Sequence, residues 1–115
     1  MLSKQNRLTS KKDYHNVIKN GRIFNTPLFR LRTIKNNLGL ARVGIITSLK
    51  ISKKSTVRNR LRRQVREVFR LNIDKIQPGH DIVITVSGNM VGKKYGEIEN
   101  QILNAVRTIK LISNS

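Results

Sequence analysis

Apolar residues recur along this chain in two rhythms. Tyr14, Val17 and Ile18 stand at i, i+3 and i+4, the spacing of a helix with one buried side. Ser10, with Asp13 three residues on, resembles a capping box in which Asp replaces Glu or Gln, and Gly21 offers a stop. A short helix is predicted over residues 10–20. Residues 22–35 then read as extended, since Phe29, Leu31 and Thr33 alternate with Arg30 and Arg32, giving one apolar and one basic face. Pro27 marks a break or an edge position there. Asn36-Asn37-Leu38-Gly39 reads as a turn. A second strand follows over residues 42–48, with Val43, Ile45 and Thr47 facing one way.

After the turn at Pro78-Gly79 comes the cleanest strand, residues 81–87. Ile82-Val83-Ile84-Thr85-Val86 is largely β-branched, and so continuous an apolar run predicts a strand covered on both faces. Two longer helices are predicted, over residues 56–72 and 96–112. In the second, Ile98, Ile102, Val106 and Ile109 share a side. Glu97 and Glu99 near its start, and Arg107 and Lys110 near its end, suit the helix dipole. The order helix, strands, helix, strand, helix defines a small α+β domain, one sheet covered by helices.

With 115 residues and 37% hydrophobic content, a single folded domain is expected. The absence of cysteine removes disulfides, thiolate metal sites and thiol catalysis. No apolar run is long enough to span a membrane, and the opening Met1-Leu2-Ser3-Lys4-Gln5-Asn6-Arg7 lacks the apolar stretch of a signal peptide. A cytoplasmic location is the simplest expectation. Charge changes the picture most: 24 Lys and Arg against 6 Asp and Glu give a formal +18. A compact domain so charged repels itself, and a polyanionic partner offsets the cost. Nucleic acid comes first, because each neutralised phosphate releases counterions; an anionic membrane comes second.

The positive charge is concentrated. Residues 50–70 hold nine Lys or Arg and one acid, Glu67. Wound at about 100° per residue, Val57, Leu61, Val65, Val68 and Phe69 collect on one side. Arg58, Asn59, Arg62, Arg63, Arg66 and Arg70 collect on an adjacent arc, and Arg60 falls apart, on the side of Glu67. Such a helix is anchored by one face and displays guanidinium groups on another. Repulsion among Arg58, Arg62 and Arg66 at i, i+4 is mildly unfavourable, and a bound phosphate chain reverses it. Arginine suits that task because its planar guanidinium grips phosphate oxygens in pairs and stacks on bases. Lys50, Lys53 and Lys54 add charge beside the helix N-terminus, which can itself receive a phosphate. No helix-turn-helix pattern precedes the helix, so contact with backbone and shape is expected, and no base sequence is read.

Catalytic machinery is hard to find. A metal nuclease needs convergent carboxylates. Here Asp13 reads as a helix cap, Glu97 and Glu99 as helix-start charges, and no motif joins Glu67, Asp74 and Asp81. A metal-free ribonuclease needs histidine for acid and base work. His15 on the first helix and His80 in a turn read as structural or surface residues. No catalytic residue and no metal ligand is assigned. A ribosomal or general RNA-structuring protein and a membrane-surface protein stay open as alternatives.

The Arg58-Asn59-Arg60 core, followed by Leu61-Arg62-Arg63, Arg66-Glu67 and Phe69-Arg70, resembles the bacterial ribonuclease P protein component. Asn6-Arg7-Leu8, Asp13-Tyr14, Gly21, Arg42-Val43-Gly44-Ile45 with Ser48 and Lys50, and Asp81-Ile82-Val83 extend the match in order along nearly the whole chain. The resemblance implies an α-β-β-β-α-β-α fold, like one domain of a ribosomal protein, with a mostly antiparallel sheet and a left-handed β-α-β crossover. It implies two RNA partners, the catalytic RNA of ribonuclease P and precursor tRNA, with no membrane or DNA partner. The protein would assist removal of the 5′ leader while the RNA carries the chemistry. It would bind no cofactor alone, and magnesium would enter the holoenzyme through the RNA. Arg58, Asn59, Arg60, Arg62, Arg63, Arg66 and Arg70, with Lys50, Lys53 and Lys54, would contact the catalytic RNA. Tyr14, Ile18, Arg30 and Arg32 would line a cleft for the leader. Ile18 stands where the family frequently has a second aromatic, and Leu49 interrupts its usual Ser-Lys-Lys run.

Overall fold

A computed structural model describes residues 2–111. Helix α1 (Lys11–Asn20) leads into strands β1 (Arg22–Asn25), β2 (Phe29–Lys35) and β3 (Arg42–Ile46). Helix α2 (Ser55–Asn72), strand β4 (His80–Val86) and helix α3 (Tyr95–Thr108) complete the α-β-β-β-α-β-α order. The four strands form one sheet in the order β1-β2-β4-β3. The β1–β2 and β2–β4 pairs are antiparallel, and β3–β4 is parallel. The parallel pair is joined through α2, because parallel neighbours need a long crossover connection.

The extended stretch over residues 22–35 resolves into a hairpin that breaks around Pro27. There the Thr26 hydroxyl accepts the backbone N–H groups of Leu28 and Phe29. Register then sorts the side chains. Phe29, Leu31, Val43, Ile82, Ile84 and Val86 enter the main core with Leu61, Val65, Val68 and Phe69 of α2 and Ile98, Ile102 and Val106 of α3. On the other face Val83 meets Val17 of α1 and Leu8, flanked by Tyr14, Ile34 and Ile46. Strand β4 is therefore covered on both sides, which is why its sequence shows so little alternation.

Several local expectations are corrected. Ser10 caps α1 by position, yet its side chain makes no cap hydrogen bond. Asp13 turns to Arg42, at 3.2 Å, since a charge-assisted bond to guanidinium outcompetes a bond to a backbone amide. Gly21 does end α1, but with extended backbone. A Cβ there would lie 2.5 Å from the Val17 carbonyl oxygen and 2.9 Å from that of Thr33, so the position is fixed by close approach of two backbones. Strand β3 stops at Ile46, short of Thr47 and Ser48. His80 opens β4, outside the preceding turn. Helix α3 ends at Thr108; Ile109 lies beyond it and Lys110 has a positive φ of 64°. The predicted end at residue 112 lies outside the described residues.

Tyr95, at the start of α3, donates its hydroxyl to Glu99 at 3.2 Å. Burial, helped by that carboxylate, pushes its pKa up to about 12. In the unfolded chain the phenol ionises near pH 10, so between about pH 10 and 12 the native state holds the proton more tightly. Stability from this group is complete below pH 10 and lost as pH rises through 12. Tyr95→Phe should remove that component, and chemical denaturation at pH 9 and 11 for both proteins reads it out. An equal loss in the two proteins would contradict the assignment.

Candidate RNA interface

Helix α2 is amphipathic in the manner its winding predicts. Leu61, Val65, Val68, Phe69 and Asn72 are buried, while Asn59, Arg60, Arg63, Arg66 and Arg70 are exposed. Arg58 and Arg62 are half-buried and act partly as braces. Arg58 Nη1 donates to the Ser52 carbonyl at 2.8 Å, tying the basic loop to the helix. Arg62 donates to Asn59 Oδ1 at 2.7 Å and to the Thr47 hydroxyl just past β3. Arg70 is closed on itself, with both ends of its guanidinium on the Glu67 carboxylate. That contact holds the Glu67 carboxyl below its ordinary range. Among the described residues Arg60, Arg63 and Arg66 take part in no ion pair or side-chain hydrogen bond.

Thr56, Asn59, Arg62, Arg63 and Arg66 line an open depression of about 480 Å³. Beside it lies a smaller one of about 190 Å³, bounded by Leu2, Arg7, Arg63, Arg66 and Glu67. Arg63 and Arg66 thus stand on the ridge between two concavities, and Arg60 lines neither. Sequence reasoning missed the contribution of Leu2 and Arg7. Leu2 is buried in the main core, Arg7 Nε donates to its carbonyl at 2.9 Å, and the arm is carried along β3 by a bridge from Arg7 to Val43. No local period could announce this. At the other end of α2, exposed Lys50, Lys53 and Lys54 surround a helix N-terminus without a side-chain cap, which leaves its first-turn amides open to an anion.

A further concavity belongs to the far face of the sheet. Register places Ile23, Arg32, Val83 and Gly44 in one row and Asn25, Arg30, Thr85 and Ile46 in the next. Helix α1 covers the Val83 side. Tyr14 is half-buried, with its ring against Gly44, where an added Cβ would come within 2.5 Å of two ring carbons and the phenol oxygen. Ile18 and Ile23 remain 40% and 54% exposed, so an aliphatic strip borders the open row. Arg30 donates to Asn25 at 2.7 Å. Arg32 Nε and the Thr85 hydroxyl are buried without a partner among the described residues. Asn25, Arg30 and Thr85 also border a depression of about 240 Å³. Because Ile46 pairs with Thr85 and Thr47 follows it, the basic loop leaves the sheet at the end where this row lies open. The four residues expected to line a cleft therefore fall on one face of the sheet, and the lysines lead from it to α2.

Among the described residues no group of three or more His, Asp and Glu could hold a metal ion, and no helix is long and apolar enough to cross a membrane. Asp81 is only 3% exposed and is taken by Arg42, at 2.8 and 2.9 Å, and by Asn36 at 2.7 Å. His15 is exposed on α1, far in sequence from His80 at the edge of β4.

Fold and surface together define a small basic α+β domain of the nucleic-acid-binding kind, with its cations displayed on one helix and along one sheet face. Comparison with known proteins narrows the class: the Ribonuclease P family model matches residues 2–110. A ribonuclease P protein component of Alkaliphilus metalliredigens is 36% identical over 112 residues, covering 97% of this chain and all of the relative. The RNase P protein of Thermotoga maritima superposes with a TM-score of 0.81 at 29% identity, covering 89% of this chain and 96% of that one. A Staphylococcus aureus RNase P protein shares the fold, with a TM-score of 0.88 at 23% identity over 95% and 92% of the two chains. This chain belongs to the bacterial ribonuclease P protein component family, whose members are parts of a ribonucleoprotein endonuclease.

Proposed function

We propose that α2 and its preceding loop bind the folded catalytic RNA of ribonuclease P, while the α1-bordered sheet face holds the single-stranded 5′ leader of precursor tRNA. The observation that carries this reading is the state of Arg63 and Arg66: exposed, without an acidic partner among the described residues, on a helix whose other side buries Leu61, Val65, Val68 and Phe69. Guanidinium groups in that state are ready to take phosphate oxygens in pairs, and doing so relieves their mutual repulsion. Arg58 and Arg62 hold the ridge and loop in place; Lys50, Lys53 and Lys54 extend the positive surface. Arg60 and Arg70 contribute less, the first by its direction and the second through its pairing with Glu67.

On the leader side, Tyr14 and Ile18 offer ring and aliphatic surface for a base, and Arg30 and Arg32 face the backbone. Stacking of one base on an aromatic ring is worth about 1–3 kcal/mol. The protein thereby draws two polyanions together, which matters most where few metal ions screen them. The chemistry is assigned to the RNA, with magnesium supplying activated water there. The described side chains build no metal cage, and no step is assigned to a metal held by this chain. A cytoplasmic site of action, with no membrane or DNA partner, accompanies this role. Helix α2 follows a strand and a loop, not a second helix, which argues against the helix-turn-helix mode of reading DNA.

Reconstitution tests the proposal. Protein added to the cognate catalytic RNA and precursor tRNA at low magnesium should raise both cleavage rate and substrate affinity. Equal activity with and without protein would overturn it.

A further inference from the structure

We infer that Arg42, bridging Asp13 and Asp81, and the bare Cα of Gly44 are positioning elements that set the leader-contacting wall of α1. The inference rests on the leader-binding reading above. It concerns residues that neither face the leader nor belong to the arginine ridge.

Helix α1 sits on the sheet through a small apolar cluster, Leu8, Val17 and Val83 with Tyr14, Ile34 and Ile46 at its rim. A ten-residue helix held by so little is free to slide unless something fixes it. Arg42 does so. From β3 it grips buried Asp81 on β4 through Nε at 2.9 Å and Nη2 at 2.8 Å. Its remaining Nη1 reaches Asp13 on α1 at 3.2 Å. Asn36 donates to the same Oδ1 of Asp81 that accepts from Arg42 Nε, at 2.7 Å. Hydrogen bonding by Asp81 strengthens the hold of this guanidinium on its proton. One rigid fork thus ties two strands to one helix, at the residue next to Tyr14.

Gly44 supplies the second constraint. Lying in the same row as Val83 and Arg32, it leaves a notch in the sheet that the Tyr14 ring fills. Ring carbons Cε1 and Cζ and the phenol oxygen of Tyr14 each lie 2.5 Å from where a Cβ would stand. Any side chain there must lift the ring. Fork and notch together determine the height and rotation of α1, and through them the spacing between Tyr14, Ile18 and the Arg30–Arg32 strand. Binding geometries of this kind hold only when their support is fixed to within about half an ångström.

The test uses reconstituted holoenzyme and two precursor tRNAs, one with a long leader and one with a single leader nucleotide. Affinity for each substrate and for the catalytic RNA is measured with wild-type protein, Asp13→Asn, Asp13→Glu and Gly44→Ala. Asp13→Asn leaves the Arg42–Asp81 pair intact, so the domain stays folded even where Gly44→Ala does not. The expected result is a loss on the order of five- to tenfold for the long-leader substrate alone, part of the worth of one stacked base. Affinity for the single-nucleotide substrate and for the catalytic RNA should stay unchanged, and Asp13→Glu should recover most of the loss. Unaltered long-leader affinity in Asp13→Asn, or equal losses on both substrates, would overturn the positioning role. If wild-type protein itself fails to distinguish the two substrates, the leader reading falls and takes this inference with it.

Discussion

Replacing Arg63 and Arg66 together by alanine is expected to weaken binding of the protein to its catalytic RNA on the order of ten- to hundredfold, two charge-assisted contacts at moderate salt. These two side chains stand on the ridge between the depressions flanking α2 and have no ion-pair partner among the described residues. Their loss removes no hydrogen bond or ion pair among the described residues, so the free protein should melt no lower than wild type. Each phosphate contact contributes roughly 0.7 to 0.9 to the slope of log affinity against log salt. The slope for the double variant should therefore flatten by about 1.5. Arg70→Ala provides the contrast, because its guanidinium is already neutralised by Glu67; its effect should be several times smaller. Filter binding across a salt series measures all three proteins, and an Arg70→Ala loss equal to that of the double variant would refute the ranking.

The second large effect is on folding. Phe69 is 1% exposed and is among the largest fully buried side chains, placed where α2 meets the sheet and α3. Phe69→Ala removes a ring from a packed core, a change that costs about 3–5 kcal/mol. Domains of this size have about 5–15 kcal/mol in total, and +18 of self-repulsion leaves this one little reserve. The melting temperature of the free protein should fall on the order of 15 °C. Catalytic RNA binds only the folded form in this account, so adding it should restore part of the loss by mass action. A melting temperature within a few degrees of wild type would mean that α2 is not held by its apolar side.

Much of this architecture is legible in the sequence, because its cause is local. Winding residues 57–70 at helical pitch separates Leu61, Val65, Val68 and Phe69 from the arginines, and the structure buries the former and exposes most of the latter. The β-branched run 82–86 announces a strand buried from both sides at Ile82, Val83 and Ile84. What escapes are interactions between residues far apart in the chain. Arg42 and Asp81 are 39 positions apart, and Asp13 joins them from a third element. Read locally, Asp13 is therefore mistaken for a cap. The end of α3 is misplaced because Ile109 continues the apolar period but docks beside the helix, its carbonyl accepting from Arg22 at 3.1 Å. Within the basic face, residue type alone cannot distinguish Arg58 and Arg62, used as braces, or Arg70, paired with Glu67, from Arg63 and Arg66. The distinction follows from Ser52, Thr47 and Glu67, which supply the acceptors.

The chain's lack of cysteine permits a direct test of which surface meets the RNA. Thr56→Cys places a single thiol in the basic depression beside Asn59, Arg62 and Arg63 without removing a charge. Asn100→Cys places one on the exposed surface of α3. Each carries a short photo-reactive group and is reconstituted with the catalytic RNA. Cross-links to that RNA from position 56, and few from position 100, are the predicted outcome. Cross-linking from position 100 that matches or exceeds that from position 56 would contradict the assignment of α2 as the RNA-facing helix.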